Sequence, residues 1–592
     1  MHDELERTAE SPALSSVRPH AARMEMLDAP SAIAFAEAAA GSKLLGEASA
    51  TRGADELLAK AREGAEKGER VAVIARAEAL ASARDAMKKI AQARLPMVAH
   101  AVSGHGGEEL PALVDIGWGV LCASGPEDSF DLSLVARRAA EDAGVPFLVV
   151  HALGHADPGA GRAVAMSALP EEKACQAFVG SPSARLKARH DPAHPSRASI
   201  GERAFAERVP FALGSAFREY GAVSGRRHDV FDKVPLGEPP LVLVGMGPVG
   251  DALFCATSEL RARGYDVGAV HLSTLRPFPG ARLVKALARA LAITVLEPVD
   301  EPLSHGGLLA RELKSAFTDA LTWAPGFPGI GRIPKLFVGV TGSSFDVADL
   351  AAICENMLAD ERGKRSFSFS DTEHALPRST AAETHGPGPL SLRWVLDDAH
   401  SADLALSVTA GALVAALGLR AHGIVTPLAS GGAVVDLFAS REHARGGMAR
   451  RGPRLVLASE RGIASSAAVA PLTAGSVLGV LSSSGEPALP DAARNIVRER
   501  RARALALASG GGEGDHALSI AAACAGAALA AGSRAQRTIL DGVLVARVVS
   551  ETLLARGVTE PTRAAERARR AFEATLEALV SGERERAPEP VS

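Results

Sequence analysis

Residues 241–250 read LVLVGMGPVG and begin a strand–helix–strand unit that continues to Pro279. The apolar run at 241–244 predicts one buried strand, and the apolar run at 267–272 predicts another. Between them, apolar residues recur at helical spacing and predict a helix that packs by one face. Two strands joined by a helix over so short a stretch indicate a parallel pair with a right-handed crossover. The unit therefore predicts an α/β domain.

The glycines of this unit match a dinucleotide-binding pattern only in part. Gly245, Gly247 and Gly250 satisfy G-x-G-x-x-G after a strand and before a helix. Such a site also requires an acidic residue at the end of the second strand, where it holds the ribose. His271 lies there instead, and the nearest acid, Asp266, precedes the strand. The pattern therefore favours a tight turn and close helix packing over an NAD site.

A series of short motifs runs through this unit and beyond it. They are GP at 247–248, GYDVG at 264–268, RPFP at 276–279, VLE at 295–297, a Glu-Pro turn with paired glycines at 301–307 and FVGVTG at 337–342. This order resembles the second domain of the 2-oxoacid:ferredoxin oxidoreductases, a relative of the transketolase C-terminal domain. One match would carry little weight, but a series of them in the right order is specific. The resemblance implies a transketolase C-terminal-like domain with a parallel sheet.

Composition limits the classes of partner. The chain has 592 residues, of which 47% are hydrophobic and only 4% aromatic, so alanine, valine and leucine must build its cores. Its 65 basic and 69 acidic side chains give a net charge of −4. This balance argues against nucleic acid or an anionic membrane surface as a partner.

The cysteines and the N-terminus indicate a reducing compartment. The five cysteines never approach CxxC spacing, so local spacing predicts buried or free thiols rather than an iron–sulfur or zinc site. The N-terminal residues lack the apolar segment of a secretion signal. The longest apolar stretch, 517–531, is shorter than a membrane span and predicts a buried helix. We therefore predict a cytoplasmic protein.

Strand and helix patterns alternate over the first third of the chain and predict a largely parallel sheet. The predicted fold is α/β with several domains: a thiamine-diphosphate-binding-like pyrimidine domain, a transketolase C-terminal-like domain and a third α/β domain. The predicted bounds are a disordered N-terminus at 1–28, the pyrimidine-binding-like domain at 29–235, the transketolase C-terminal-like domain at 236–360, a linker at 361–399, a gamma-like domain at 400–580 and a tail at 581–592.

The segment GEASA at 46–50 resembles the segment of this family that binds the aminopyrimidine of thiamine diphosphate. The resemblance implies that Glu47, held in a pocket of low polarity, hydrogen-bonds the pyrimidine and so helps the cofactor lose its reactive proton. The candidate cofactor-binding residues are Gly46, Glu47, Ser103 and His105, and Glu47 is the candidate catalytic residue. An ordinary exposed carboxylate is the alternative interpretation of Glu47.

Several segments depart from the family pattern. Ser103 and His105 occupy the loop where the family usually has an arginine that pairs with the substrate carboxylate, and ARAEAL at 75–80 replaces another family segment. The third region resembles the family's gamma module in position and length but lacks its GxGGQG motif. Its basic cluster at 441–451 suits either a phosphate-bearing ligand such as coenzyme A or, preferably, a solvated loop.

His151 and His155 stand four residues apart, which would suit a metal site if this segment were helical. They follow a predicted strand, and a glycine lies between them, so a metal site is disfavoured.

The resemblance implies a diverged alpha–gamma subunit of a thiamine-diphosphate-dependent 2-oxoacid:ferredoxin oxidoreductase. Such an enzyme oxidatively decarboxylates a 2-oxoacid such as pyruvate to acyl-coenzyme A and passes electrons to ferredoxin. A beta-type partner chain would supply Mg, the diphosphate-binding module and the iron–sulfur clusters, which makes the active form a hetero-oligomer. The alternative is a non-catalytic assembly or regulatory homologue that has lost the substrate site.

Overall fold

The computed structural model describes most of the chain between residues 23 and 584. The described ranges are 23–103, 109–152, 162–180, 207–235, 237–299, 301, 303–304, 306–342, 345–359, 362–369, 374–377, 379, 390–397, 399–417, 420–428, 432–440, 455–459, 462–472, 476–482, 489–508, 542–555 and 558–584. His105, His155, the basic cluster at 441–451 and the predicted helix at 517–531 lie outside the described residues.

The strands are β1 Arg23–Leu27, β2 Lys43–Gly46, β3 Val71–Arg76, β4 Val98–Ser103, β5 Gly119–Ala123, β6 Phe147–Ala152, β7 Arg162–Leu169, β8 Phe231–Val234, β9 Leu241–Met246, β10 Val267–Leu272, β11 Thr274–Arg276, β12 Ala292–Glu297, β13 Lys335–Val340, β14 Ser366–Ser368, β15 Leu390–Leu396, β16 Arg420–Pro427, β17 Ala433–Ser440, β18 Leu455–Ser459, β19 Val477–Ser482 and β20 Arg503–Ala508.

The helices are α1 Ala29–Ala39, α2 Ala54–Glu66, α3 Ala77–Ser82, α4 Arg84–Gln92, α5 Leu110–Leu113, α6 Pro126–Ala143, α7 Glu172–Val179, α8 Arg208–Ser224, α9 Gly247–Ala262, α10 Gly280–Leu287, α11 Leu308–Leu321, α12 Val347–Leu358, α13 Ala399–Leu417, α14 Ser466–Val469, α15 Asp491–Glu499, α16 Gly542–Ala555 and α17 Thr562–Arg584, with a 3-10 turn at Gly462–Ala464. No helix in these described ranges is long and apolar enough to cross a membrane.

The first sheet has the strand order β11-β5-β6-β4-β3-β2, and all of its strands except β11 are parallel. One face packs on α1, α6 and α8, and the other packs on α2, α3 and α4. The strands β4 and β5 are fully buried and β3 is buried except at Arg76, because helices cover both faces, which explains their continuous apolar runs. The predicted parallel α/β fold is confirmed.

The second sheet has the order β14-β13-β12-β9-β10-β8 and contains the predicted strand–helix–strand unit as β9, α9 and β10. A Cβ atom on Gly250 would lie 2.6 Å from the carbonyl oxygen of Gly245 and 2.5 Å from Cδ2 of His271. The glycines therefore allow α9 to pack directly on β9 and β10. This geometry accounts for the glycine pattern without a nucleotide.

The third sheet draws strands from distant parts of the chain. Its order is β1-β7-β16-β17-β15-β18-β19-β20, in which β7 pairs antiparallel with β16 and β1 pairs antiparallel with β7. The sequence placed residues 23–27 in a disordered N-terminus and β7 in the first domain. The structure differs because β7 and β1 extend the sheet at β16, whose backbone groups would otherwise form an open edge.

The predicted linker and tail also differ in part from the structure. Within 361–399, β14 extends the second sheet and β15 lies inside the third. At the C-terminus, α17 continues to Arg584, beyond the predicted start of the tail at 581. The thiols of Cys122, Cys175, Cys255 and Cys354 are buried, as the sequence predicts.

Candidate functional site

The parallel strands of the first sheet end along one edge, which is where α/β sheets usually place functional residues. The last residues of these strands, in spatial order, are Ala123 of β5, Ala152 of β6, Ser103 of β4, Arg76 of β3 and Gly46 of β2. We call these ends the carboxyl edge. Two of the sequence-predicted site residues, Gly46 and Ser103, lie on it.

Glu47 follows β2 directly and is exposed at the carboxyl edge. Its carbonyl oxygen accepts the amide of Ala50 at 3.0 Å, and the carbonyl oxygen of Ala50 accepts the amide of Arg76 at 3.0 Å. These bonds fix the loop that carries Glu47 to the end of β3. Among the described residues no pocket of low polarity encloses Glu47, because β2 is the outermost strand of its sheet.

Gly46 has a structural reason to be glycine. Its φ of +93° lies in the left-handed region, and a Cβ atom here would lie 2.3 Å from the carbonyl oxygen of Ile74. Gly46 is the last residue of β2, and α2 starts only at Ala54. Gly46 therefore turns the chain so that Glu47 lies clear of the sheet.

Ser103 ends β4 and is buried. Its hydroxyl donates to Oε2 of Glu109 at 3.4 Å, which ties the two sides of the loop after β4. Ser103 and Glu47 lie at the same edge but are not adjacent, because β3 runs between β4 and β2. The structure thus places Arg76 between the two predicted site positions.

A row of buried polar side chains, each within hydrogen-bonding distance of the next, crosses this domain, and the sequence analysis missed it. Nε2 of His100 lies 3.0 Å from Oε1 of Glu37, and Nδ1 of His100 lies 3.0 Å from Nε2 of His151. Nδ1 of His151 lies 2.9 Å from Oγ of Ser129, in the first turns of α6. Both nitrogens of His151 are therefore occupied within a strand, which contradicts the helical metal-ligand alternative for this residue. The available signal was a histidine inside each of two apolar strand runs.

The ionised carboxylate of Glu37, at one end of this row of hydrogen-bonded side chains, is strongly stabilised. Burial alone would raise the pKa of Glu37, but the Arg137 guanidinium, 2.9 Å away, and His100 lower it to about 2. Burial, and then the neighbouring His100, hold the pKa of His151 well below 6.5. The folded protein therefore keeps Glu37 ionised and His151 neutral at neutral pH.

We expect these two groups to make the fold acid-sensitive in two steps. A folded-state pKa below the unfolded value means that the unfolded chain binds more protons, so stability falls as pH falls. As the pH falls, the loss of stability due to His151 should come first, below pH 6.5. Protonation of Glu37 should lower the stability further between pH 4.5 and about 2, and the shift in its pKa corresponds to about 3 kcal/mol of unfolding free energy.

Thermal unfolding followed by calorimetry at pH 7.5 and pH 5.5 checks the first step. The midpoint of wild type should fall between these values by more than that of His151→Gln, which cannot take up the proton. Equal falls in both proteins would contradict a role for His151.

A second buried cluster holds α8 against α6. Asp131 accepts hydrogen bonds from Nε of Arg226 at 2.7 Å and from the hydroxyl of Tyr220 at 2.5 Å, and it also contacts Nη2 of Arg226. Nε2 of His228 lies 2.7 Å from Oδ2 of Asp131. Burial opposes ionisation, yet Arg226 and His228 lower the pKa of Asp131 below its usual value. This cluster stabilises the domain.

The RPFP motif joins the first two sheets. β11 ends at Arg276 and pairs with β5 as the outermost strand of the first sheet. Nε of Arg276 donates to Asp115 at 2.7 Å, and Nη2 donates to Glu312 on α11 at 2.6 Å. Nearby, Oγ of Ser124 lies 2.8 Å from Nε2 of His271. The motif is therefore an interdomain joint.

The VLE motif and the paired glycines form a helix cap. The carboxylate of Glu297, at the end of β12, accepts the amides of Leu309 at 2.8 Å and Ala310 at 3.3 Å in the first turn of α11. A Cβ atom on Gly307 would lie 2.5 Å from this carboxylate. Burial raises the pKa of Glu297, while the two amides oppose that rise. The motif thus fixes α11 to the second sheet.

Comparison with known proteins identifies the region that carries these motifs. Residues 240–329 match the family described as pyruvate:ferredoxin oxidoreductase core domain II. Ketoisovalerate oxidoreductase subunit VorA of Pyrococcus abyssi is 32% identical over 144 residues, which is 24% of this chain and 34% of that protein. Pyruvate synthase subunit PorA of Methanothermobacter thermautotrophicus is 25% identical over 214 residues, which is 35% of this chain and 55% of that protein.

Among solved structures, a 2-oxoglutarate:ferredoxin oxidoreductase from Magnetococcus marinus aligns with a TM-score of 0.40 and 12% identity, covering 57% of this chain and 65% of that one. The chain spans between 34% and 55% of the length of the two curated relatives. The order of the motifs, the match to core domain II and the similarity to these subunits agree. Residues 240–329 therefore resemble core domain II of the pyruvate:ferredoxin oxidoreductases, and the chain is similar to subunits of 2-oxoacid:ferredoxin oxidoreductases over part of their length.

Proposed function

We propose that this chain is a diverged alpha–gamma subunit of a thiamine-diphosphate-dependent 2-oxoacid:ferredoxin oxidoreductase that acts with a beta-type partner chain. The observation that carries the proposal is the core domain II at 240–329, joined through Arg276 and β11 to a parallel sheet whose carboxyl edge bears Glu47. The reaction would be oxidative decarboxylation of a 2-oxoacid such as pyruvate to acyl-coenzyme A, with ferredoxin as electron acceptor.

The residues of this chain fit one half of a thiamine diphosphate site. Glu47 is an exposed carboxylate at an outermost strand end, so a ligand held by a second chain could reach it. Gly46 turns the chain so that this carboxylate lies clear of the sheet, and the Ala50–Arg76 backbone bond holds its loop in place. The proposal assigns Mg, the diphosphate contacts and the iron–sulfur clusters to the partner chain.

When bound, thiamine diphosphate supplies a carbon nucleophile for the keto group of the 2-oxoacid and accepts electrons on decarboxylation. Glu47 would hold the pyrimidine ring through a hydrogen bond at a ring nitrogen and keep a proton at that position. The partner chain would cover the carboxyl edge, exclude water and give Glu47 the low-polarity surroundings that this role requires.

The second candidate is a non-catalytic assembly or regulatory homologue. It is favoured by the exposure of Glu47 and by Ser103 in the loop where the family usually has an arginine. In this case the joints at Arg276 and β11 would serve only to present surfaces to partner chains.

Purification of the tagged full-length chain from its native cells separates the two candidates. We expect a partner chain to co-purify with thiamine diphosphate and iron, and the complex to reduce a viologen dye when a 2-oxoacid and coenzyme A are added. A partner recovered without the cofactor or the activity would support the assembly role and contradict the enzyme.

A further inference from the structure

The Glu-Pro turn after β12 presents a leucine to solvent. The amide of Ser304 donates to the carbonyl oxygen of Glu301 at 3.1 Å, which closes a tight turn. Leu303 stands third in this turn and has a φ of +66°, the left-handed conformation that glycine adopts at least cost. Its relative exposure is 107%, so the side chain is as open as in an extended peptide. A bulky apolar residue thus occupies a position that neither the backbone conformation nor packing favours.

A second exposed left-handed residue of this domain shows the contrast. Trp323, with a φ of +60°, follows α11, and the amide of Ala324 bonds the carbonyl oxygen of Asp319 in the pattern that commonly ends a helix. Its ring also lies against Gly329, where a Cβ atom would be 2.2 Å from it. Leu303 ends no helix and belongs to no apolar cluster among the described residues. A backbone outlier without a structural reason points to a function.

Polar contacts hold the turn in place. Oγ of Ser304 lies 3.0 Å from the carbonyl oxygen of Glu301 and 2.7 Å from that of Gly306. The carboxylate of Glu301 pairs with the guanidinium of Arg311, near the start of α11. Leu303 is therefore carried on a braced loop, which limits the conformational entropy lost when a partner receives its side chain.

The loop that carries Leu303 leads directly into α11, which begins beside the first domain. Leu308, the first residue of α11, belongs to the apolar cluster that contains α5 and Ala101 of β4. Side chains alternate along a strand, so Ser103 lies on the same face of the first sheet as Ala101. The loop thus enters α11 beside the face on which Ser103 ends β4 at the carboxyl edge.

We infer that Leu303 is an apolar anchor that the beta-type partner chain receives in a pocket, an inference that rests on the proposed function. In that proposal the partner covers the carboxyl edge, and a chain that continues from there over α5 meets the loop of Leu303. The pocket must be apolar, because the leucine side chain offers no hydrogen-bonding group. Its burial in the complex offsets the unfavourable backbone conformation, which the free chain retains without a gain in packing.

The test measures the affinity of the full chain for the partner chain that co-purifies with it. The partner is identified by mass spectrometry, produced separately and titrated with the full chain by calorimetry. Leu303→Gly should raise Kd by roughly 10- to 100-fold, because the burial of one leucine side chain is lost. The same substitution should leave the thermal midpoint of the free chain unchanged or raise it, since glycine adopts this φ without strain. A residue that only supported the fold would show the opposite pattern.

Leu291→Ala is the matched control. Leu291 is also an exposed leucine of the second domain, at 54%, but it immediately precedes β12, at the end of that strand opposite to the loop. Leu303→Ala should weaken binding about as much as Leu303→Gly, whereas Leu291→Ala should leave Kd unchanged.

The outcomes separate this inference from the proposed function. An active complex in which Leu303→Gly leaves Kd unchanged would overturn the anchor and leave the proposed function standing. The anchor would also be wrong if this variant bound its partner normally but no longer associated with a second copy of itself. A partner that binds less tightly to Leu303→Gly, but brings neither thiamine diphosphate nor activity, would support the anchor and contradict the proposed function. Recovery of no partner would overturn both.

Discussion

Replacing Glu47 with glutamine should lower 2-oxoacid-dependent electron transfer by the purified complex at least about 100-fold. Glutamine keeps the size of the side chain but cannot hold a proton as a carboxyl group does. Glu47 is exposed at a strand end, so the substitution should leave the fold of this chain unchanged. The measurement is the initial rate of viologen dye reduction at saturating 2-oxoacid and coenzyme A, with bound thiamine diphosphate determined in the same samples.

Glu66→Gln is the matched control for this substitution. Glu66 is also an exposed glutamate of the first domain, but it lies at the end of α2 and pairs with Arg62. This variant should retain the wild-type rate. If Glu47→Gln retained it too, Glu47 would be an ordinary surface carboxylate, and the catalytic role proposed for it would be wrong.

Replacing Asp131 with alanine should cost about 3–5 kcal/mol of stability in the first domain. The substitution leaves Arg226, His228 and Tyr220 buried without the carboxylate that they share. The penalty arises mainly from the charge and polar groups left behind, because they have lost their hydration and gain no substitute. Hydrogen exchange measured by mass spectrometry on the full chain reports the opening free energy of the amides in α6 and α8.

Asp142→Ala on the same helix provides the control. Asp142 pairs with Arg138 one turn away in a partly exposed position, so its loss should cost less than about 1 kcal/mol. If the two variants opened with similar free energies, the buried cluster around Asp131 would contribute no more than a surface ion pair.

The second domain was the most predictable part of the chain. Its strands β9 and β10 and the helix between them lie close together in sequence. Each strand is indicated by an apolar run, and the helix is indicated by apolar residues at helical spacing. Gly250 and Gly307 also had local reasons to be glycine, although only the structure revealed the neighbours, Gly245 and Glu297, that a side chain would strike.

The candidate site was predictable only in outline. Ser103 follows an apolar run that reads as a strand, whereas nothing local marked Gly46 as the end of β2. The resemblance implied a pocket of low polarity around Glu47, whereas this position follows the end of an outermost strand. Arg76 appeared in the sequence only within a segment that departs from the family pattern, since nothing local places the end of β3 between those of β2 and β4.

Local patterns by themselves indicated an α/β protein, because the pairing of β9 with β10 spans few residues. The tertiary structure alone decided that β1 and β7 join the third sheet and that β11 joins the first. It also decided that the side chains of Glu37, His100 and His151 form one buried hydrogen-bonded row. The physical reason is the same in each case. The backbone groups at a strand edge and a buried polar side chain both need hydrogen-bond partners, and in the packed fold those partners come from residues far away in sequence.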